Sequence, residues 1–266
     1  MKIKYTVLTF LFGDYDTFKE PEEYDENATY ICITDRQDLQ SRIWNIIYEP
    51  SLDTNEFTGI QKSFYIKYHC LWDYIPKDSE YIVRLDASIQ IHKSLRPIIE
   101  YMKLNNYDCL LQYHNTRTDV IDEYNTWIKE RPGYNAEYKD IFIRKMFELG
   151  YDINMPGLLG TTIQIYHIGP NVIQFVKDAD NIIQQTSNYM DNNDQCYYTY
   201  ALYKNFHNLN VLYANTQIIA SNFMDYCYHG SDEIMFKNHH ASPGFNLSKK
   251  IIKPLFNTFI EIEYFN

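Results

Sequence analysis

Glycine and proline are scarce, nine of each in 266 residues, which excludes collagen-like and low-complexity architectures. Basic residues are too few to balance the acidic ones, 24 against 35, for a formal charge of −11. A surface of that sign repels polyphosphate and argues against a general nucleic-acid binder, while a small anionic ligand stays open if a metal or local cations neutralise it. No segment approaches the roughly 20 apolar residues that cross a bilayer. Cysteines stand at 32, 70, 109, 196 and 227, an odd count without C-x-x-C spacing, so free thiols in a reducing compartment are expected rather than a disulfide framework. G-x-G-x-x-G, G-x-x-x-x-G-K-[ST] and G-x-S-x-G are all missing, which removes the main support for nicotinamide dehydrogenases, P-loop NTPases and α/β-hydrolases.

What is present, 45% hydrophobic and 22% charged residues, suffices for a packed core. The opening MKIKYTVLTFLFGDYD imitates a secretory leader, but the apolar run stops at Gly13-Asp14 without a small-residue cleavage site and reads as a strand. A cytoplasmic protein is expected. Strand-like runs at Lys4–Phe12, Thr29–Thr34, Tyr81–Leu85 and Cys109–Tyr113 alternate with helical spacing at Phe57–Tyr74 and Ser94–Leu104. Asp119–Asp152 reads as a helix-and-loop excursion, Thr161–Ile168 and Val211–Ala220 as further strands, and Asn171–Gln185 and Asp194–Lys204 as helices. Strand, helix, strand, helix implies an α/β protein with a mainly parallel central sheet flanked by helices. No repeat or linker breaks the chain, so a single domain over 1–266 is expected. The tail from Lys249 to Asn266 mixes Lys249, Lys250 and Lys253 with Leu255, Phe256, Phe259 and Ile260. It reads either as a membrane-surface contact or as a segment docked on the domain.

Ligands of such sheets sit beyond the carboxyl ends of the strands. That rule selects Gly13-Asp14-Tyr15, Thr34-Asp35, Asp86-Ala87-Ser88 and His114. Asp86 ends an apolar strand, so its carboxylate is accessible on a rigid backbone, which suits a metal or a sugar hydroxyl; Asp and Ser also simply make turns. Gly13, after Phe12, lets the backbone approach a ligand closely. Tyr15 can stack on a base and Asp14 or Asp35 accept from a base or ribose, or the segment is a solvated turn with a core aromatic. Cys227, His229, Asp232, His239 and His240 are residue types that bind zinc, but their spacing matches no structural zinc pattern.

Together, Leu11-Phe12-Gly13-Asp14-Tyr15-Asp16, Thr34-Asp35, Leu85-Asp86-Ala87-Ser88, His114-Asn-Thr-Arg117 with Asp122-Glu123, Pro156-Gly157-Leu158 and Asp194-Gln195 resemble the glycosyltransferase-like family of plant mucilage-related proteins and bacterial polysaccharide enzymes. The likeness spans residues 5–205. It implies a GT-A fold, a Rossmann-like sheet that binds a nucleotide-diphosphate sugar and commonly Mn²⁺ or Mg²⁺. Residues 1–118 would form the nucleotide half, and 119–266 the sugar and acceptor half with the tail. Asp86-Ala87-Ser88 stands where that fold has Asp-x-Asp; a hydroxyl replaces the second carboxylate, so His239 or His240 would have to complete a metal site. Lys62, Lys67 and Arg84 are candidate partners of the leaving diphosphate. Asp194 would face the anomeric carbon, either as a base in an inverting displacement or as support for the sugar in a retaining one, with Glu123 an alternative base and His114 and Arg117 lining the sugar or acceptor side. The activity implied is transfer of a hexose or amino-hexose from a UDP-sugar or another nucleotide sugar to a saccharide. The competing expectations are a non-catalytic carbohydrate-binding protein that keeps the sheet, and a nucleotidyltransferase or nucleotide-sugar hydrolase.

Overall fold

The computed structural model describes residues 3–50, 57–114, 116–215, 223–226, 247–256 and 258–265. In chain order the elements are β1 (Tyr5–Leu11), β2 (Ala28–Thr34), β3 (Asn45–Tyr48), α1 (Gly59–Tyr65), β4 (Tyr81–Asp86), β5 (Ile89–Ile91), α2 (Arg96–Leu104) and β6 (Cys109–Tyr113). They continue as α3 (Val120–Glu130), α4 (Glu137–Glu148), β7 (Leu159–His167), α5 (Pro170–Thr186), α6 (Asp194–Asn205), β8 (Val211–Asn215), β9 (Met224–Tyr226), β10 (Leu247–Leu255) and β11 (Thr258–Phe265). Nine strands form one sheet in the order β10-β11-β8-β6-β7-β4-β1-β2-β3, taking members from both expected halves of the chain.

The sheet is mainly parallel, as expected. β1 runs with β2 and β4, β2 with β3, and β8 with β6 and β11. β7 runs against both β4 and β6. Alternation along the central strands feeds two cores. Val7 and Leu11 of β1 and Val83 and Leu85 of β4 pack with α2, β5 and β9 on one face. Leu8 and Phe10 of β1 and Ile82 of β4 pack with α1, α3, α4, α5 and α6 on the other. The period of two therefore turns Arg84 and Asp86 to the second face, with Ile82.

One expectation is corrected. The helix expected over Phe57–Tyr74 is an α-helix only to Tyr65, followed by a π turn over Ile66–Cys70 and a 3₁₀ turn over Leu71–Tyr74. The strand expected to reach Ala220 is described to Asn215, and residues 216–222 lie outside the described set. The tail is a β-hairpin that extends the sheet, β11 pairing with β8. Leu255, Phe256 and Ile260 are buried there, which favours the docked segment over a membrane-surface contact for those side chains. No helix among the described residues is long and apolar enough to cross a membrane. Cys32, Cys70, Cys109 and Cys196 are free thiols, and Cys227 lies outside the described residues.

Candidate active site

A cleft of about 200 Å³ opens at the carboxyl ends of β1 and β4, where the sheet meets α1, α3 and α6. Its β1 wall carries Phe12 and Tyr15, its β4 wall Asp86 and Ala87, and its helical wall Lys67, Asp194 and Gln195. The start of α1 is fixed by a capping box. Thr58 Oγ1 accepts from Gln61 N–H, and Gln61 Oε1 accepts from Thr58 N–H at 2.8 Å. Gly59, the first residue of α1, lines the cleft, and a Cβ there would stand 2.7 Å from the Phe12 carbonyl oxygen. Glycine is what lets this helix lie against the exit of β1.

Lys67 and Tyr68 occupy the π turn that follows. Such turns recur where a helix must aim side chains at a function. The Lys67 ammonium, its side chain 4% exposed, stands 2.6 Å from Asp86 Oδ1 and 3.6 Å from Asp194 Oδ2. Asp194, in the first turn of α6, also accepts from Thr161 Oγ1 at 2.7 Å and from the Tyr68 hydroxyl at 3.0 Å. The turn before α6 is held by Asp191, which accepts from Tyr134 and Tyr197, each at 2.7 Å, and from the Asn193 amide at 3.1 Å. Beneath this set lies Arg84, 1% exposed, within 6 Å of the rings of Tyr68, Tyr166 and Tyr198 and donating to the Lys67 carbonyl at 3.2 Å. Burial pushes the Asp86 carboxyl above the ordinary carboxylate range, while Lys67 pulls it down.

Six of the residues expected from the sequence line this cleft: Phe12, Tyr15, Lys67, Asp86, Ala87 and Asp194. Others support its rim. Gly13, at φ +60°, donates its amide to Asp35 Oδ1 at 2.9 Å, and Lys62 binds Asp35 Oδ2 at 2.8 Å. Asp35 thus ties the β1 exit to α1, and its carboxylate is engaged in that tie. Asp14 is exposed. Ser88 is buried and does not line the cleft. His239 and His240 lie outside the described residues. Among the described residues no three His, Cys, Asp or Glu side chains are placed to hold a metal ion. The carboxylate expected to bind one is already paired with an ammonium. These residues do not fit a divalent cation.

His114, Arg117 and Glu123 come together in a second cavity of about 180 Å³, which shares Trp127, Arg131 and Gln195 with the first. Trp127 Nε1 donates to Glu123 Oε1 at 2.6 Å, and Arg117 Nε stands 3.4 Å from Glu123 Oε2. Burial raises the Glu123 carboxyl against both partners. Trp127 and Arg131 were not anticipated. They lie on α3 and its cap within the excursion, and the Arg131 guanidinium rests 3.8 Å from the Trp127 ring centre. Their i, i+4 spacing is the signal that places both on one face.

His114 Nδ1 accepts from the amides of Arg117 at 2.9 Å and Thr116 at 3.3 Å. Burial, with the Arg117 charge, lowers its pKa from 6.5 to about 4. Between those values the unfolded chain binds the proton more readily, so stability falls as pH drops from 6.5 towards 4. Unfolding titrations at pH 7.5 and 5 are expected to show this loss in the native protein and a smaller one in His114→Asn; equal losses would remove His114 as its source.

No family model and no curated protein matches the sequence. Among solved structures, the mannosyltransferase Ktr4p from S. cerevisiae is 10% identical with a TM-score of 0.44, over 80% of this chain and 68% of that one. The galactosyltransferase LgtC, in complex with donor and acceptor sugar analogs, is 10% identical with a TM-score of 0.40, over 80% and 74%. Core-mannan synthase A from Aspergillus fumigatus, in its Mn/GDP form, is 8% identical with a TM-score of 0.42, over 91% and 81%. Likenesses of this size leave the chemistry to be argued from the cleft itself.

Proposed function

We propose that this chain is a glycosyltransferase that moves a hexose or amino-hexose from a nucleotide-diphosphate sugar, first among them a UDP-sugar, to a hydroxyl of a saccharide acceptor. The observation that carries this is the meeting of Asp86 and Asp194 in one cleft at the carboxyl end of a mainly parallel sheet, with a buried lysine between them. A sheet of this kind binds its ligand at that end. Tyr15, 43% exposed at the cleft wall, offers a face for the base.

The bond from the anomeric carbon to the diphosphate oxygen breaks as the acceptor oxygen bonds to that carbon. Asp194 is the group placed to receive the acceptor's proton, and it is preferred over Glu123 because it shares the cleft with Asp86. Lys67 and Arg131 supply positive charge where the leaving diphosphate gathers negative charge. His114, Arg117 and Glu123 line the neighbouring cavity as the acceptor side, with Trp127 as the wall between.

Calorimetry with UDP and with GDP, followed by product analysis with UDP-hexoses and saccharide acceptors, tests this directly. Nucleotide binding and release of a glycoside are expected, with transfer abolished in Asp86→Ala while far-UV circular dichroism is unchanged. Wild-type turnover in that variant rejects the assignment. Free sugar as product marks a hydrolase, pyrophosphate a nucleotidyltransferase, and oligosaccharide binding without nucleotide binding a non-catalytic sugar-binding protein.

A further inference from the structure

Lys67, Asp86 and Asp194 line the cleft, and Arg84 lies beneath them, outside its lining. Arg84 and Lys67 are 1% and 3% exposed, Asp194 is 5% exposed, and Asp86 alone is half-buried at the rim. Formal charge therefore cancels within the protein's own side chains. Buried charges survive only when paired in this way. A divalent ion held by Asp86 would stand beside the Lys67 ammonium and meet its repulsion in a poorly solvated site. It would also find one Asp86 oxygen and one Asp194 oxygen already within 4 Å of that ammonium.

We infer that Lys67 takes the place of a divalent cation in this cleft by neutralising Asp86 and Asp194, so that a nucleoside diphosphate binds without metal, against the Arg131 guanidinium that also lines the cleft. The π turn is the structural device, because it carries Lys67 into contact with both carboxylates while its carbonyl holds Arg84. The Lys67 ammonium also lies over the Phe64 ring, 5.3 Å from its centre, a further favourable contact for its charge. The diphosphate part of this inference rests on the glycosyltransferase proposal; the absence of a metal requirement at Asp86 does not.

Two measurements test it separately. Electron paramagnetic resonance of free Mn²⁺ is expected to show the ion unbound by equimolar wild-type protein. It should be bound by Lys67→Gln, where Asp86 and Asp194 lose their shared counter-charge, and released again in Lys67→Gln combined with Asp86→Asn. Calorimetry of UDP binding is expected to give the same affinity in wild type with EDTA and with Mn²⁺. In Lys67→Gln the affinity in EDTA should fall at least about tenfold and recover in part with Mn²⁺. Mn²⁺ bound by the wild type and lost in Asp86→Asn overturns the inference, as does an EDTA-induced loss of UDP affinity of about tenfold in the wild type. If Lys67→Gln does not fold, the wild-type and Asp86→Asn arms still decide. If no nucleotide binds under any condition, the proposed function fails while the Mn²⁺ titration still judges the lysine.

Discussion

Asp194→Asn is expected to lower sugar transfer by about 10²–10⁴-fold while nucleotide binding stays unchanged or tightens. The substitution keeps shape and removes one negative charge. Thr161 and Tyr68 lie within hydrogen-bond reach of the same two positions, at 2.7 and 3.0 Å from the carboxylate oxygens, so α6 has no reason to move. The lost function is proton acceptance from the incoming hydroxyl. The sign of the binding change separates this role from a donor-binding one, because removing a carboxylate from the cleft lightens the repulsion felt by a diphosphate. Steady-state kinetics with a titration of the nucleotide product measures both. A variant that turns over at the native rate would pass the role of base to Glu123, whose own replacement by Gln must then produce the loss.

Arg84→Met is expected to destabilise the fold by about 3–5 kcal/mol, because it removes one partner from a buried charge set instead of the whole set. Asp86 and Asp194, which already share the ammonium of Lys67, would lose the second buried cation whose field acts on both. The ring-lined socket of Tyr68, Tyr166 and Tyr198 would receive a flexible thioether in place of a planar cation. For a chain of this length the loss lowers the melting temperature by roughly 10 °C, a shift that calorimetry resolves. The deficit should shrink in acid, as the Asp86 carboxyl, already raised by burial, takes up a proton. A melting temperature within about 2 °C of wild type would mean that Arg84 contributes packing alone.

Much of this architecture was legible in the residues. The apolar runs of β1, β2, β4 and β6 and the carboxylate that ends β4 stand where the sequence puts them. The reversed direction of β7 was not legible, since its alternation is the same in either sense. β3 is four residues long, too short for its period to rise above the loop around it. The tail hairpin hid behind lysines interleaved with apolar residues, a pattern shared by edge strands and surface helices. At the site, Asp86, Lys67 and Asp194 were each named, but their pairing joins residues up to 127 positions apart (194 − 67 = 127) through a π turn, and local spacing does not encode that. Trp127 and Arg131 lie in a polar, aromatic stretch that reads as an excursion, and nothing in its local spacing marks α3 as a wall of the cleft.

Main chain meets main chain where Gly59 touches the carbonyl of Phe12, with no side chain between them to be trimmed or enlarged. The gap on that flank is consequently a fixed dimension of the cleft, indifferent to mutation except by forcing the helix away. Under the proposed function, adaptation to bulkier or smaller sugars has to come from the α3 wall, where the Trp127 indole and the Arg131 guanidinium can be exchanged residue by residue without disturbing the sheet.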